Sequence, residues 1–132
     1  MQSVKNQVLA PLTPSQKPIV YDAYFKKGGK AKAVVIFCHG YKGFKDWGPW
    51  HLVAQAIAKA GFFFLKFNFS HNGGTVHQPI DFPDLEAFAQ NNYSLELDDL
   101  DRVLDFICTS SIYKNQIDVS NLSLIGHSRG GG

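Results

Sequence analysis

Short, unbroken apolar runs alternate along this chain with stretches in which apolar residues recur every three or four positions. Ala33 to Cys38 reads Ala-Val-Val-Ile-Phe-Cys, a continuous run rich in β-branched residues of the kind that a strand covered on both faces requires. Phe62 to Phe69 predicts a second such strand, with Lys66 and Asn68 toward its C-terminal end, and Val119 to Ile125 a third, interrupted by Ser120 and Asn121. Between the first two, Pro49 suits a first helical turn, and Trp50, Val53, Ala54, Ile57 and Ala58 repeat at helical spacing up to Gly61, a residue suited to closing a helix. Ser94 offers a cap for a second helix, in which Leu97, Leu100, Leu104 and Ile107 form the buried stripe and Val103 and Phe106 widen it. Asp98 and Asp99, with Glu96, match the positive end of that helix and are read as helix-start charges rather than catalytic acids.

Ahead of these units the first 32 residues carry Pro11, Pro14 and Pro18 and only brief apolar stretches, at Val8 to Leu9 and Ile19 to Phe25, which predicts N-terminal edge strands joined by turns. The order strand, strand, helix, strand, helix, strand argues for an α/β fold, a mostly parallel sheet with helices on both faces. Residues 1–132 read as one incomplete domain, with core strand-helix units over 33–132. The polar connection from Ser70 to about Asn92 is too long for a simple turn and is read as functional or mobile.

Composition narrows the picture by exclusion. With 13 basic and 11 acidic residues interspersed, a net charge of +2 marks no surface for nucleic acid or anionic membrane. No apolar segment approaches the length of a membrane span, and residues 1 to 14 lack the apolar centre of a cleaved signal. Cys38 and Cys108 stand far apart without a Cys-x-x-Cys partner, so two buried, reduced thiols are expected, and with them a cytoplasmic location. No metal or organic cofactor is implied.

The chemistry concentrates at the end of the third core strand. Gly126-His127-Ser128-Arg129-Gly130 fits G-x-S-x-G, a sharp strand-to-helix turn that presents a serine hydroxyl, with glycines where neighbouring backbone must approach closely. The N–H of Arg129 is placed to stabilise an oxyanion formed by attack of Ser128. An earlier strand runs into Cys38-His39-Gly40-Tyr41, where a second oxyanion-binding amide is expected.

With Val-Val-Ile-Phe-Cys-His-Gly-Tyr-Lys-Gly from Val34, Phe-Asn-Phe-Ser-His-Asn-Gly from Phe67 and Leu-Ile-Gly-His-Ser-Arg-Gly-Gly from Leu124, the chain resembles the α/β-hydrolase superfamily. The likeness is greatest to its small bacterial esterase, dienelactone-hydrolase-like and serine-aminopeptidase-like members. The resemblance implies Ser128 as nucleophile and the N–H groups of Tyr41 and Arg129 as oxyanion hole, with Gly40, Gly126 and Gly130 shaping the two turns. It also implies a small-molecule acyl substrate. Dienelactone hydrolases themselves use Cys at the elbow; Ser here points to ester, thioester or peptide hydrolysis. In this superfamily the acid and the His follow the nucleophile, yet only four residues follow Ser128. Completing the domain would take on the order of 100 further residues, expected on the same or a second chain, and the segment alone is expected to be inactive.

Other constellations are weaker. His39, Asp98 or Asp99, and Ser128 occur in the chain order of chymotrypsin-like proteases, but those enzymes are β-barrels and this chain has helical segments. His71 and His77, with Asp81 and Asp84 nearby, are read as solvated loop residues rather than metal ligands, His51 as a surface residue, and His127 as packing beside the elbow. Phe44, Trp47, Trp50, Phe82 and Phe88 could wall an acyl pocket or simply pack. A noncatalytic binding or scaffolding module on the same fold is the rival class. A phosphate cradle lacks its motifs.

Overall fold

The computed structural model describes residues 2–11, 13, 16–39, 45–46, 49–71, 93–110 and 112–127, with Tyr93 described by its backbone only. In chain order the elements are β1 (Gln2–Leu9), β2 (Ile19–Phe25), β3 (Lys32–Cys38), α1 (Trp50–Lys59), β4 (Phe63–Phe67), α2 (Tyr93–Thr109) and β5 (Ile117–Gly126). They form one five-stranded sheet in the order β1-β2-β4-β3-β5. The sheet is mixed. β3 runs parallel to both β4 and β5, which is the parallel core expected from residue 33 onward, while β1 and β2 join it antiparallel.

Strand alternation divides the core between two faces. Ile19, Ala23, Val34, Ile36, Phe63 and Leu65 belong to the face packed with Val103 and Ile107 of α2. Tyr24, Val35, Phe37 and Phe64 point the other way and pack with Ala54 and Ala58 of α1. Period two in the strands thus meets the helical stripes from opposite sides. Small alanines at the α1 contact let that helix approach the sheet closely.

α1 closes as the sequence suggests. Gly61 adopts a φ of +100°. Its N–H donates to the Ala58 carbonyl (3.1 Å), and the Phe62 N–H to the Ile57 carbonyl (3.4 Å), the paired bonds of a Schellman turn. At β5 the interruption by Ser120 and Asn121 is a register shift: Ala33 pairs with Asp118 but Val34 with Leu122. The Asp118 carboxylate secures the extra residues by accepting from the Ser120 N–H (3.1 Å) and the Asn121 side chain (2.8 Å).

Three expectations require correction. β2 is not an edge strand; all seven of its residues are buried, because β1 extends over eight residues and takes the edge position. Leu97 lies outside the buried stripe at 65% exposure, since the buried face of α2 is centred on Asp99, Val103 and Ile107. The second core strand is shorter than its apolar run: Asn68 and Phe69 are buried but lie beyond β4. Among the described residues no helix is long and apolar enough to cross a membrane.

Candidate active site

The C-terminal ends of β3, β4 and β5 lie level. Cys38 pairs with Phe67 on one side and with Gly126 on the other. Beyond the last pair, the His127 N–H donates to the Cys38 carbonyl at 3.0 Å, so the two chains are still held together where they leave the sheet. Gly126 therefore sits at the strand end, level with Cys38. Gly40, Tyr41, Ser128, Arg129 and Gly130 lie outside the described residues, as do Phe44, Trp47, His77, Asp81, Phe82, Asp84 and Phe88.

Two histidines flank this end of the sheet, and both pack against aromatic rings. His39 is buried; its Nε2 accepts the Phe69 N–H (3.1 Å), which leaves the ring proton on Nδ1, and its ring meets that of Phe69 edge-on. His127 packs edge-on against Trp50 (centroids 5.0 Å), and Trp50 in turn lies 4.4 Å from the Phe37 ring. Trp50 thus links His127 to the core of the sheet. His51 is exposed.

The start of the connection after β4 is held by Asp99. Asp98 is exposed, but Asp99 is 3% exposed and faces the sheet rather than solvent. Its carboxylate accepts from the Ser70 N–H (2.7 Å) and hydroxyl (2.8 Å), and the Ser70 hydroxyl also meets Nδ1 of His71 at 2.9 Å. His71 is buried in this cluster rather than solvated. Burial raises the Asp99 pKa; the bonds from Ser70 and the nearby Arg102 pull it back, and the balance is about 6. Arg102 ties the cluster to the N-terminal segment, donating to the carbonyls of Lys17 (2.9 Å) and Ala10 (3.3 Å).

Sequence reading also passed over a buried ion cluster. Asp22 on β2 pairs in register with Lys66 on β4, and both side chains are wholly inaccessible. Lys66 Nζ lies 3.1 Å from Asp22 and 3.0 Å from Asp46, while Lys45 Nζ lies 2.9 Å from Asp22 and also meets Asp46. β1 contributes through a bulge between Val4 and Gln7, where Asn6 takes a φ of +52°. That turn lets the Asn6 N–H donate to Asp22 (2.8 Å) while its side-chain oxygen accepts from Lys45 (2.7 Å). Burial pushes the Asp46 carboxyl up, but Lys45 and Lys66 outweigh it and hold it below the usual carboxylate range. A signal was present: Asp22 and Lys66 are each the one charge within an otherwise apolar or aromatic strand.

No protein-family model and no curated protein sequence matches the chain. Solved structures do match its fold. A dienelactone hydrolase from Anabaena variabilis superposes with a TM-score of 0.70 at 17% identity, over 98% of this chain and 53% of that one. A lipase/esterase from Lactobacillus plantarum gives 0.70 at 21% identity, over 99% and 47%. An acetyl xylan esterase from Paenibacillus sp. R4 gives 0.62 at 21%, over 98% and 46%. The class defined by the sheet order and these superpositions is the α/β-hydrolase-like fold. The chain spans about half the length of the solved structures it matches, consistent with an N-terminal part of that fold.

Proposed function

We propose that this chain forms the nucleophile-bearing part of a serine hydrolase acting on carboxylic esters or related acyl substrates. Ser128 is the nucleophile, and the N–H groups of Tyr41 and Arg129 form the oxyanion hole. The observation that carries the reading is the register of β3 against β5. Cys38 and Gly126 lie side by side, and Gly40 and Ser128 each follow two residues later, so both turns leave adjacent strands at the same end of the sheet. Ligands gather at that end in open α/β sheets. The esterase and dienelactone hydrolase names of the matching structures agree with the reading.

In the proposed reaction the Ser128 hydroxyl oxygen adds to the substrate carbonyl carbon while its proton passes to a base. The carbonyl electron pair moves onto oxygen, and the resulting charge is met by the two amides. Collapse expels the alcohol, which takes up the proton; water then attacks the acyl-serine by the same route, releasing the acid and restoring the hydroxyl. The base that takes this proton is in turn oriented by an acid, as in other serine hydrolases. β5, with Leu124 49% exposed, is an edge strand of the sheet. Trp50, beside His127, is suited to wall an apolar acyl site. A reducing cytoplasm suits the two free thiols.

A fluorophosphonate probe and p-nitrophenyl acetate, applied to the intact protein, test the reading. Covalent labelling at Ser128 and loss of both labelling and turnover in Ser128→Ala are the expected results. An intact protein that neither labels nor turns over short esters and thioesters would point to the noncatalytic binding module instead.

A further inference from the structure

The geometry points to a buried proton relay formed by Asp99, Ser70 and His71, in which a proton taken up at His71 Nε2 is passed through the Ser70 hydroxyl and held on Asp99. It stands apart from the hydrolase reading. Ser70 and His71 directly follow Phe69 beyond β4, Asp99 faces them from α2, and all three residues are buried.

The Ser70 hydroxyl is the middle member. Its oxygen lies 2.8 Å from both carboxylate oxygens of Asp99 and 2.9 Å from Nδ1 of His71. A hydroxyl has one proton to give, so two arrangements satisfy every member of the chain. With Asp99 ionised, the hydroxyl donates to the carboxylate and accepts from His71, which places the ring proton on Nδ1 and makes Nε2 an acceptor. With Asp99 protonated, its O–H donates to Ser70, the hydroxyl turns to donate to His71 Nδ1, and the ring proton stands on Nε2. Oδ2 of Asp99 accepts the Ser70 N–H (2.7 Å) in both arrangements, so the exchanged proton resides on Oδ1.

The two arrangements differ by a single proton. One arriving at Nε2 releases the Nδ1 proton to Ser70 Oγ, whose own proton passes to Asp99 Oδ1. The Nδ1–H and Oγ–H bonds break, Nε2–H, Oγ–H and Oδ1–H bonds form, and the ring is neutral before and after. The added charge ends on the carboxylate, which becomes neutral. Asp99 is suited to hold it: burial raises its pKa, the Ser70 bonds and Arg102 lower it, and Glu96 raises it again, which leaves it at about 6. The charged or titratable groups facing Asp99 among the described residues are Arg102 and Glu96 on α2 and, through Ser70, His71. Arg102 comes no nearer than 3.6 Å, its guanidinium being committed to the carbonyls of Lys17 and Ala10, so the carboxylate lacks the close cation that would keep it ionised. An asparagine could pin the Ser70 amide equally well. It could not take up a proton.

Nitrogen NMR of the imidazole rings in the intact, isotopically labelled protein tests the relay between about pH 8 and about pH 5, with the His71 signals assigned by their loss in His71→Gln. In the wild type the ring proton is expected to move from Nδ1 to Nε2 as pH falls through about 6, with the ring staying neutral. Asp99→Asn, whose amide N–H donates to Ser70 as the protonated acid does, is expected to hold the Nε2–H form already at about pH 8. Ser70→Ala is expected to abolish the exchange of sites. A wild-type ring that keeps Nδ1–H and adds a second proton, or that keeps one tautomer throughout, overturns the proposal even if neither variant folds. So does an Asp99→Asn ring in the Nδ1–H form, or an exchange that survives Ser70→Ala. None of these readouts depends on turnover, so their failure leaves the Ser128 reading untouched.

Discussion

The N–H of His127 donates to the carbonyl of Cys38 at 3.0 Å, one residue past the point where β5 leaves the sheet. This bond prolongs the parallel ladder of β3 and β5 one residue beyond the Cys38–Gly126 pair. Because donor and acceptor are both backbone, no side-chain substitution removes it directly. The bond's integrity depends instead on the packing around Cys38 and on Trp50 against the His127 ring.

Cys38 supplies a direct probe of that packing. It is buried, and burial pushes its thiol up to about 11, whereas Cys108 is exposed on α2. An aromatic disulfide reagent at pH 8 should titrate Cys108 at once and Cys38 only on unfolding. Two fast thiols in the native protein would mean that the β3 exit opens freely.

Asp99 should make stability fall as pH rises. Its folded pKa of about 6 lies above the 3.8 of an unperturbed aspartate, so the folded state holds the proton more tightly than the unfolded one. The resulting stabilisation is complete below about pH 4 and lost as pH passes through 6, on the order of 3 kcal/mol in all for this one group. Asn at 99 still accepts from the Ser70 N–H without titrating. Urea midpoints of wild type and Asp99→Asn between pH 4 and 7 should therefore diverge, with the variant nearly flat by comparison.

The ion cluster should show strong coupling. Lys66→Met alone strands the Asp22 charge in the core and should cost about 3–5 kcal/mol. The double variant Asp22→Leu with Lys66→Met leaves Lys45 and Asp46 as a neutral pair and should recover most of that loss. Additive losses in chemical denaturation would count against the cluster acting as one unit.

Gly61→Ala should lower stability by about 1 kcal/mol. A Cβ there meets nothing within 4 Å, so the cost is one of backbone conformation at φ +100° and not of crowding. An unchanged urea midpoint would mean that the helix end can close in another way.

Much of the local structure was legible. Continuous apolar runs located β3, β4 and β5, and helical spacing located α1 and α2, because these signals arise from neighbours within a few positions. Gly61 and the Ser120–Asn121 interruption were readable for the same reason. β1 was scarcely visible, since its residues are mainly polar and exposed, and only its pairing with β2 makes it a strand. The burial of Asp99 was not legible, because an acidic residue near a helix start has a sufficient local explanation and nothing local says that the chain after β4 returns to it.

By itself the amino-acid order determined the α/β succession of elements and placed the G-x-S-x-G pattern directly after a strand, features written in short-range periodicity and in single residue types. Tertiary structure alone decided that β2 lies inside the sheet, that Cys38 stands level with Gly126, and that Asp22, Lys45, Asp46 and Lys66 share one buried site. Those facts depend on which strands pair and in what register, and the pairing energy is shared among residues far apart in the chain, so no local window contains it.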